Sequence, residues 1–160
     1  MLSQLFPSRL DNTYRGSRIA LWLLGAVVTV KLLQSFVSIF LGRFVASSAD
    51  GVPLDAYSPA AAQTVVAMFA LIGVARLPFY ALCLLALARY RSAVPLMLAL
   101  LALEYLARSL ALFYVPIERT GAAGGLVVNR VLFAMMVAGL ALSLWPRRSA
   151  APAPGVPTGT

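Results

Sequence analysis

Four apolar runs, residues 19–42, 59–88, 93–115 and 126–145, decide what this chain can become. Each is 20 to 30 residues long. As helices at about 1.5 Å per residue they cover roughly 30–45 Å, enough to cross a hydrocarbon core of about 30 Å with some tilt. The remaining composition offers no route to a water-facing surface. Of the 160 residues, 61% are hydrophobic and 11% charged, where an ordinary soluble domain carries roughly 25% charged. The sequence therefore predicts an all-α integral membrane protein, an antiparallel four-helix transmembrane bundle. It divides into an N-terminal cytoplasmic segment (1–18), a four-span domain (19–146) and a disordered, Pro/Ala/Gly-rich cytoplasmic tail (147–160).

The first run follows a basic segment, as in a secretory signal, but its 24 residues exceed the 7–15 of an h-region, so it is read as a retained first span. Ser58-Pro59 has the form of an N-cap followed by proline at the first helical position, and Ser92 is expected to cap the third span in the same way. Pro78 predicts a kink in the second. The 43–58 connection reads as a polar loop with turns at Asp50-Gly51 and Pro53. Arg9, Arg15, Arg18, Arg89, Arg91, Arg147 and Arg148 fall on one side of the bundle. Only Arg43 and Arg119 occupy connections on the other, so the excess of basic residues predicts both termini inside. Twelve Arg to one Lys, with much Ala, Leu and Gly, points to a bacterial source and hence to the inner membrane.

Charges inside the runs are few. Glu104 is their only acid; Lys31, Arg76, Arg108 and Arg130 are the cations. Counting along each helix from its cytoplasmic end puts all five in the outer-middle part of the bilayer. A charge at mid-membrane costs at least about 2.5–3.5 kcal/mol, so such residues turn toward one another or toward a polar cavity. Glu104 is expected to neutralise Lys31 or Arg76, with Arg108 four residues on. Lys31, Gln34, Ser35 and Ser38 share one helical face and form a polar stripe aimed at neighbouring helices. Four cations against one acid leave an excess that suits an anion, and guanidinium groups bind phosphate or carboxylate through paired hydrogen bonds. Lys31, Arg76, Arg108 and Arg130 are thus the candidate anion ligands.

Other chemistries find little support. With no His and one Cys, Cys83, the chain lacks the imidazole and thiolate sets of zinc, haem and iron–sulfur sites, and no cofactor is expected. Asp50 and Asp55 lack a third ligand for a cation, so no metal site is assigned. The basic residues stand singly at the ends of apolar runs, without the cluster that nucleic acid requires. No catalytic constellation is visible, and enzymatic activity is not assigned. The function expected first is an accessory or scaffold subunit that binds other membrane helices, a second copy or lipid; Ala134, Ala138 and Ala141 give the fourth span a small-residue face for such packing. The alternative is a binder or carrier of an anionic lipid or metabolite at the intramembrane Lys/Arg/Glu centre.

Overall fold

A computed structural model describes Leu5, Asp11, Asn12, Tyr14 and residues 16–120 and 124–145. The disordered-tail expectation for 147–160, and most of the N-terminal segment, lie outside the described residues. Four long helices make up the fold: α1 (Arg18–Phe40), α2 (Pro59–Arg89), α3 (Val94–Tyr114) and α4 (Gly124–Leu144). All four are long and apolar enough to cross a membrane. Their outward faces are largely apolar, with Leu71, Leu82, Leu103 and Val131 among the large hydrophobic side chains left exposed. Trp22 and Trp145, 80% and 74% exposed, sit near the start of α1 and just past α4. Phe40, Tyr57, Phe113 and Tyr114 are exposed at the opposite helix ends. Two such aromatic belts are what the two interfaces of a bilayer select.

Helix starts follow local chemistry. The Ser17 hydroxyl accepts from Ile19 N–H at 3.3 Å and caps α1. Ser58 accepts from Ala61 N–H at 3.3 Å and caps α2, with Pro59 behind it. Ser92 does something else: it lies in a single 3-10 turn, Arg91–Ala93, and α3 starts at Val94 with no side-chain cap. Its hydroxyl exchanges hydrogen bonds of 3.0 Å with the backbone of Asp11. The cap is dispensable there because Pro95, in the first turn of α3, has no N–H to satisfy. The helical run of α2 continues through Pro78.

Every helix carries an inward stripe spaced alternately three and four residues apart. In α1 it runs Ala20, Leu24, Val27, Lys31; in α2 Gly73, Arg76, Tyr80, Cys83; in α3 Val94, Leu98, Leu101; in α4 Asn129, Leu132, Met136, Gly139, Ser143. All of these are buried except Arg76, which is about a quarter exposed. This is the knobs-into-holes spacing of a membrane bundle. α1 packs along α2 most extensively, α3 on α4 and α4 on α1, while α2 and α3 touch each other sparingly. The α1–α2 crossing is close because of Gly73: a methyl there would meet Ser35 O at 2.8 Å and Ile39 Cγ1 at 2.9 Å.

The stripes pack tightly over only one half of the bundle. Leu24, Val28, Tyr80, Leu98, Leu101 and Met136 form its core, with Cys83 fully buried among them. Toward the other end α1 and α2 stay close at Gly73, and a cavity opens among the four helices. There the 43–58 connection departs from the open polar loop expected of it: a helical turn (Gly42–Phe44), a π-type turn (Val45–Ala49) and a 3-10 turn (Leu54–Ala56) fold over the helix ends. The reason is apolar: Ala46, Val52 and Leu54 bury themselves against Ala62 on α2, with Val65, Val66 and Phe69 alongside. Gly51, at φ 71°, turns the chain in the left-handed region, and its carbonyl accepts from Thr120 N–H at 2.8 Å. That bond joins the 43–58 cap to the α3–α4 connection.

Candidate functional site

Where the tight half of the bundle ends, the inward stripes change from apolar to polar. On α1 the change falls at Lys31, 3% exposed; on α2 at Arg76; on α3 at Arg108; on α4 at Asn129. Lys31, Arg76, Glu104 and Arg108 lie within Coulombic reach of one another, and Tyr80 borders the group from below. Three cations face one carboxylate, an excess of two.

Each of these groups is held differently. Lys31 Nζ donates to Asn129 Oδ1 at 2.9 Å in a buried hydrogen bond, and Asn129 Nδ2 donates to Gly125 O at 2.9 Å. The amide is therefore fixed with its oxygen toward the ammonium, giving a buried charge a neutral partner. Glu104 takes the other cation: its Oε1 lies 3.3 Å from Arg76 Nη2, and both side chains keep a little over a quarter of their surface exposed. Tyr105, one residue along, stacks on Phe133 of α4 with centroids 4.5 Å apart. With Tyr105 stacked on α4, the preceding Glu104 looks across the seam toward α2. Arg108 continues the inward stripe of Leu101, and among the described residues it makes no ion pair.

Beyond this layer lies a half-enclosed cavity of about 780 Å³, roofed by the 43–58 cap and the connection after α3. All four helices line it. Its walls are mostly apolar, with Val30, Leu33, Val65, Met68, Leu112 and Val128 among them. Its polar groups are few and placed at two levels. Arg76, Arg108, Gln34 and Asn129 stand at the deep end; Ser38, Thr64, Arg119 and Asp50 lie toward the roof. The Nε of Arg119 is buried with no hydrogen-bond partner among the described residues. A volume of this size, apolar walls and a few convergent polar groups are the usual features of a small-molecule site.

The four cations named from the sequence thus separate. Arg76 and Arg108 line the cavity, and Lys31 sits behind its wall, bonded to Asn129. Arg130 is one residue beyond the inward stripe of α4, about 100° around the helix, and is exposed outside the cavity. Of the α1 polar stripe, Lys31 and Ser35 are buried in the packing while Gln34 and Ser38 reach the cavity. Arg119 and Asn129 were not among the sequence candidates. For Asn129 the signal was present, since it stands in the same three-four register as Leu132, Met136 and Gly139; for Arg119, in a connection rich in glycine, no periodicity marks it. Asp55 is exposed and faces Arg43 at 3.8 Å, a surface pair of small energetic weight.

The chain matches no protein-family model, no curated protein and no solved structure.

Proposed function

We propose that this protein spans a bacterial inner membrane four times, as an antiparallel bundle with both termini cytoplasmic, and binds an anionic amphiphile in its outer-half cavity. The ligand class is an acid group, carboxylate or phosphate, on an apolar chain. One observation carries the reading: three arginines, two deep and one near the roof, line a largely apolar cavity of about 780 Å³ that contains a single lining carboxylate, Asp50. Fixed cations in a low-dielectric site favour an anion, and the apolar walls favour a hydrocarbon body. The orientation is supported by the basic residues at 89–91 and in the terminal segments, and by the few on the capped side. The sparse α2–α3 contact, with Arg76 and Glu104 partly exposed along it, supports side entry from the lipid.

Thermal unfolding of the detergent-purified protein tests this with palmitate, hexadecanol, dioleoyl phosphatidylglycerol, dioleoyl phosphatidylcholine and inorganic phosphate. Palmitate is expected to raise Tm in a saturable manner while hexadecanol of equal chain length does not, since ligand bound only to the folded state stabilises it. Phosphatidylglycerol acting in place of palmitate would identify a membrane lipid as the source of the acid. Stabilisation by phosphate alone, or equally by palmitate and hexadecanol, would overturn the proposal.

A second reading, an accessory subunit for other membrane helices, draws on a separate feature. Ala134, Ala138 and Ala141 form an exposed small-residue stripe on α4, facing away from the bundle, of the kind that lets helix backbones approach closely. Under this reading Ala138→Leu disperses assemblies seen in mild detergent by size-exclusion light scattering, with palmitate binding unchanged. Unaltered assemblies would count against it.

A further inference from the structure

Glu104 stands in an unusual relation to the cavity. It is the only acid in the four long helices, yet it is not part of the cavity lining, whereas the two arginines nearest to it in the fold, Arg76 and Arg108, both are. Arg108 lies four residues after Glu104 on the same helix, the spacing at which a Glu–Arg pair ordinarily closes along the helix surface. The pair does not close. Glu104 reaches across the seam to Arg76 instead, and does so through one oxygen and one nitrogen at 3.3 Å. A two-pronged carboxylate–guanidinium contact would run at about 2.7–2.9 Å. The contact is single and long, both side chains remain partly exposed, and Arg76 also lines the cavity, with no second side-chain partner among the described residues.

We infer that Glu104 is the site's own stand-in anion, holding Arg76 when the cavity has no acid in it and yielding it to the acid group of an entering amphiphile, which then bridges Arg76 and Arg108. This rests on the proposed binding of an anionic amphiphile and adds how that binding is regulated. Glu104 competes with the ligand for one guanidinium. The pairing neutralises one of the cations at mid-membrane while the cavity is empty of acid, and the competition weakens ligand affinity so that the acid can leave again. No covalent step is involved, and both arginines stay charged throughout.

Competition and a purely positioning role have opposite signs. If Glu104 merely aims Arg76, removing its charge weakens binding. If it competes, removing its charge tightens binding. The experiment is a titration of radiolabelled palmitate onto the full-length detergent-solubilised protein, well below the unfolding temperature, for wild type, Glu104→Gln, Arg76→Gln and the Arg76→Gln/Glu104→Gln pair. Glu104→Gln is expected to bind about fivefold more tightly or better, the low end of the effects that two groups sharing a site exert on each other. In the Arg76→Gln background the same change is expected to have no effect, because the contested guanidinium is gone. Glu104→Asp, which keeps the charge but withdraws it by one methylene, gives a smaller gain and serves if Glu104→Gln does not fold. Unchanged or weaker palmitate binding by the Glu104 variants, with wild type binding normally, overturns this inference and leaves the proposed function standing. Absence of palmitate binding by folded wild type overturns the proposed function itself.

Discussion

Replacing Asn129 by Leu is expected to lower the stability of the bundle by about 1.5–3 kcal/mol, the range for a hydrogen bond to a charged group. Interhelical hydrogen bonds in membranes usually contribute less, about 0.6 kcal/mol on average, because the separated helices find other partners. Two features place this bond above that average. The donor is an ammonium 3% exposed, and among the described residues Asn129 is the one side chain that bonds it, at 2.9 Å. Leucine fits the inward stripe of α4 between Gly125 and Leu132, so the cost is electrostatic and not steric. The paired variant Lys31→Met/Asn129→Leu is therefore expected to recover most of the loss, since replacing both members of a buried polar pair by apolar groups of similar shape is nearly neutral. Reversible unfolding in mixed micelles reads both effects. A pair as unstable as the sum of its single changes would refute the assigned bond.

Arg108→Gln is expected to weaken palmitate binding about 10- to 100-fold. A charge-assisted hydrogen bond contributes about 1.5–3 kcal/mol, and each 1.4 kcal/mol is tenfold in affinity. Arg130→Gln provides the control. It removes the same charge from the same part of the sequence pattern, but Arg130 is exposed outside the cavity, and its loss is expected to change binding by no more than about twofold through long-range electrostatics. Equal weakening by the two variants would mean that the general basic character of the protein, and not the cavity, attracts the acid. Arg119→Gln is expected to fall between them, because its guanidinium lies near the roof and its Nε is the unpartnered donor.

The contrast between Arg108 and Arg130 also measures what the sequence disclosed. Four helices were legible because bilayer thickness sets a minimum apolar length, and no other composition explains runs such as 59–88. The gathering of Lys31, Arg76, Glu104 and Arg108 was legible from counting rises along helices, since a common depth is a one-dimensional property. Which way a side chain points around its helix is a second dimension, and there the result was mixed. Glu104 had two cations on offer; with Tyr105 stacked on Phe133 it pairs with Arg76, and Lys31 bonds Asn129. Arg130 and Asn129 are neighbours in sequence and a third of a turn apart in space. Charge drew the eye to the first, whereas the packing register belongs to the second. The cavity was not legible at all. It lies among the outer parts of all four helices, and Val52 and Leu54, inside a polar connection, help fold a cap over it. Such tertiary shape has no periodic signature in the chain.

The ionic layer thus divides the bundle into two unlike halves. One is closed by Leu24, Leu98, Leu101 and Met136, all fully buried. The other is held open around arginine side chains that cannot pack against one another, since like charges in an apolar setting repel strongly. The most direct measurement of this division is photolabelling with a palmitate analogue bearing a diazirine at mid-chain, with labelled positions located by mass spectrometry and specific label defined as that removed by excess palmitate. The account predicts specific label in the open half, at Met68, Phe69, Leu112 and Val128. Specific label on the closed-half residues, or no specific label beyond what is spread over the lipid-facing Leu82, Leu103 and Val137, would contradict it.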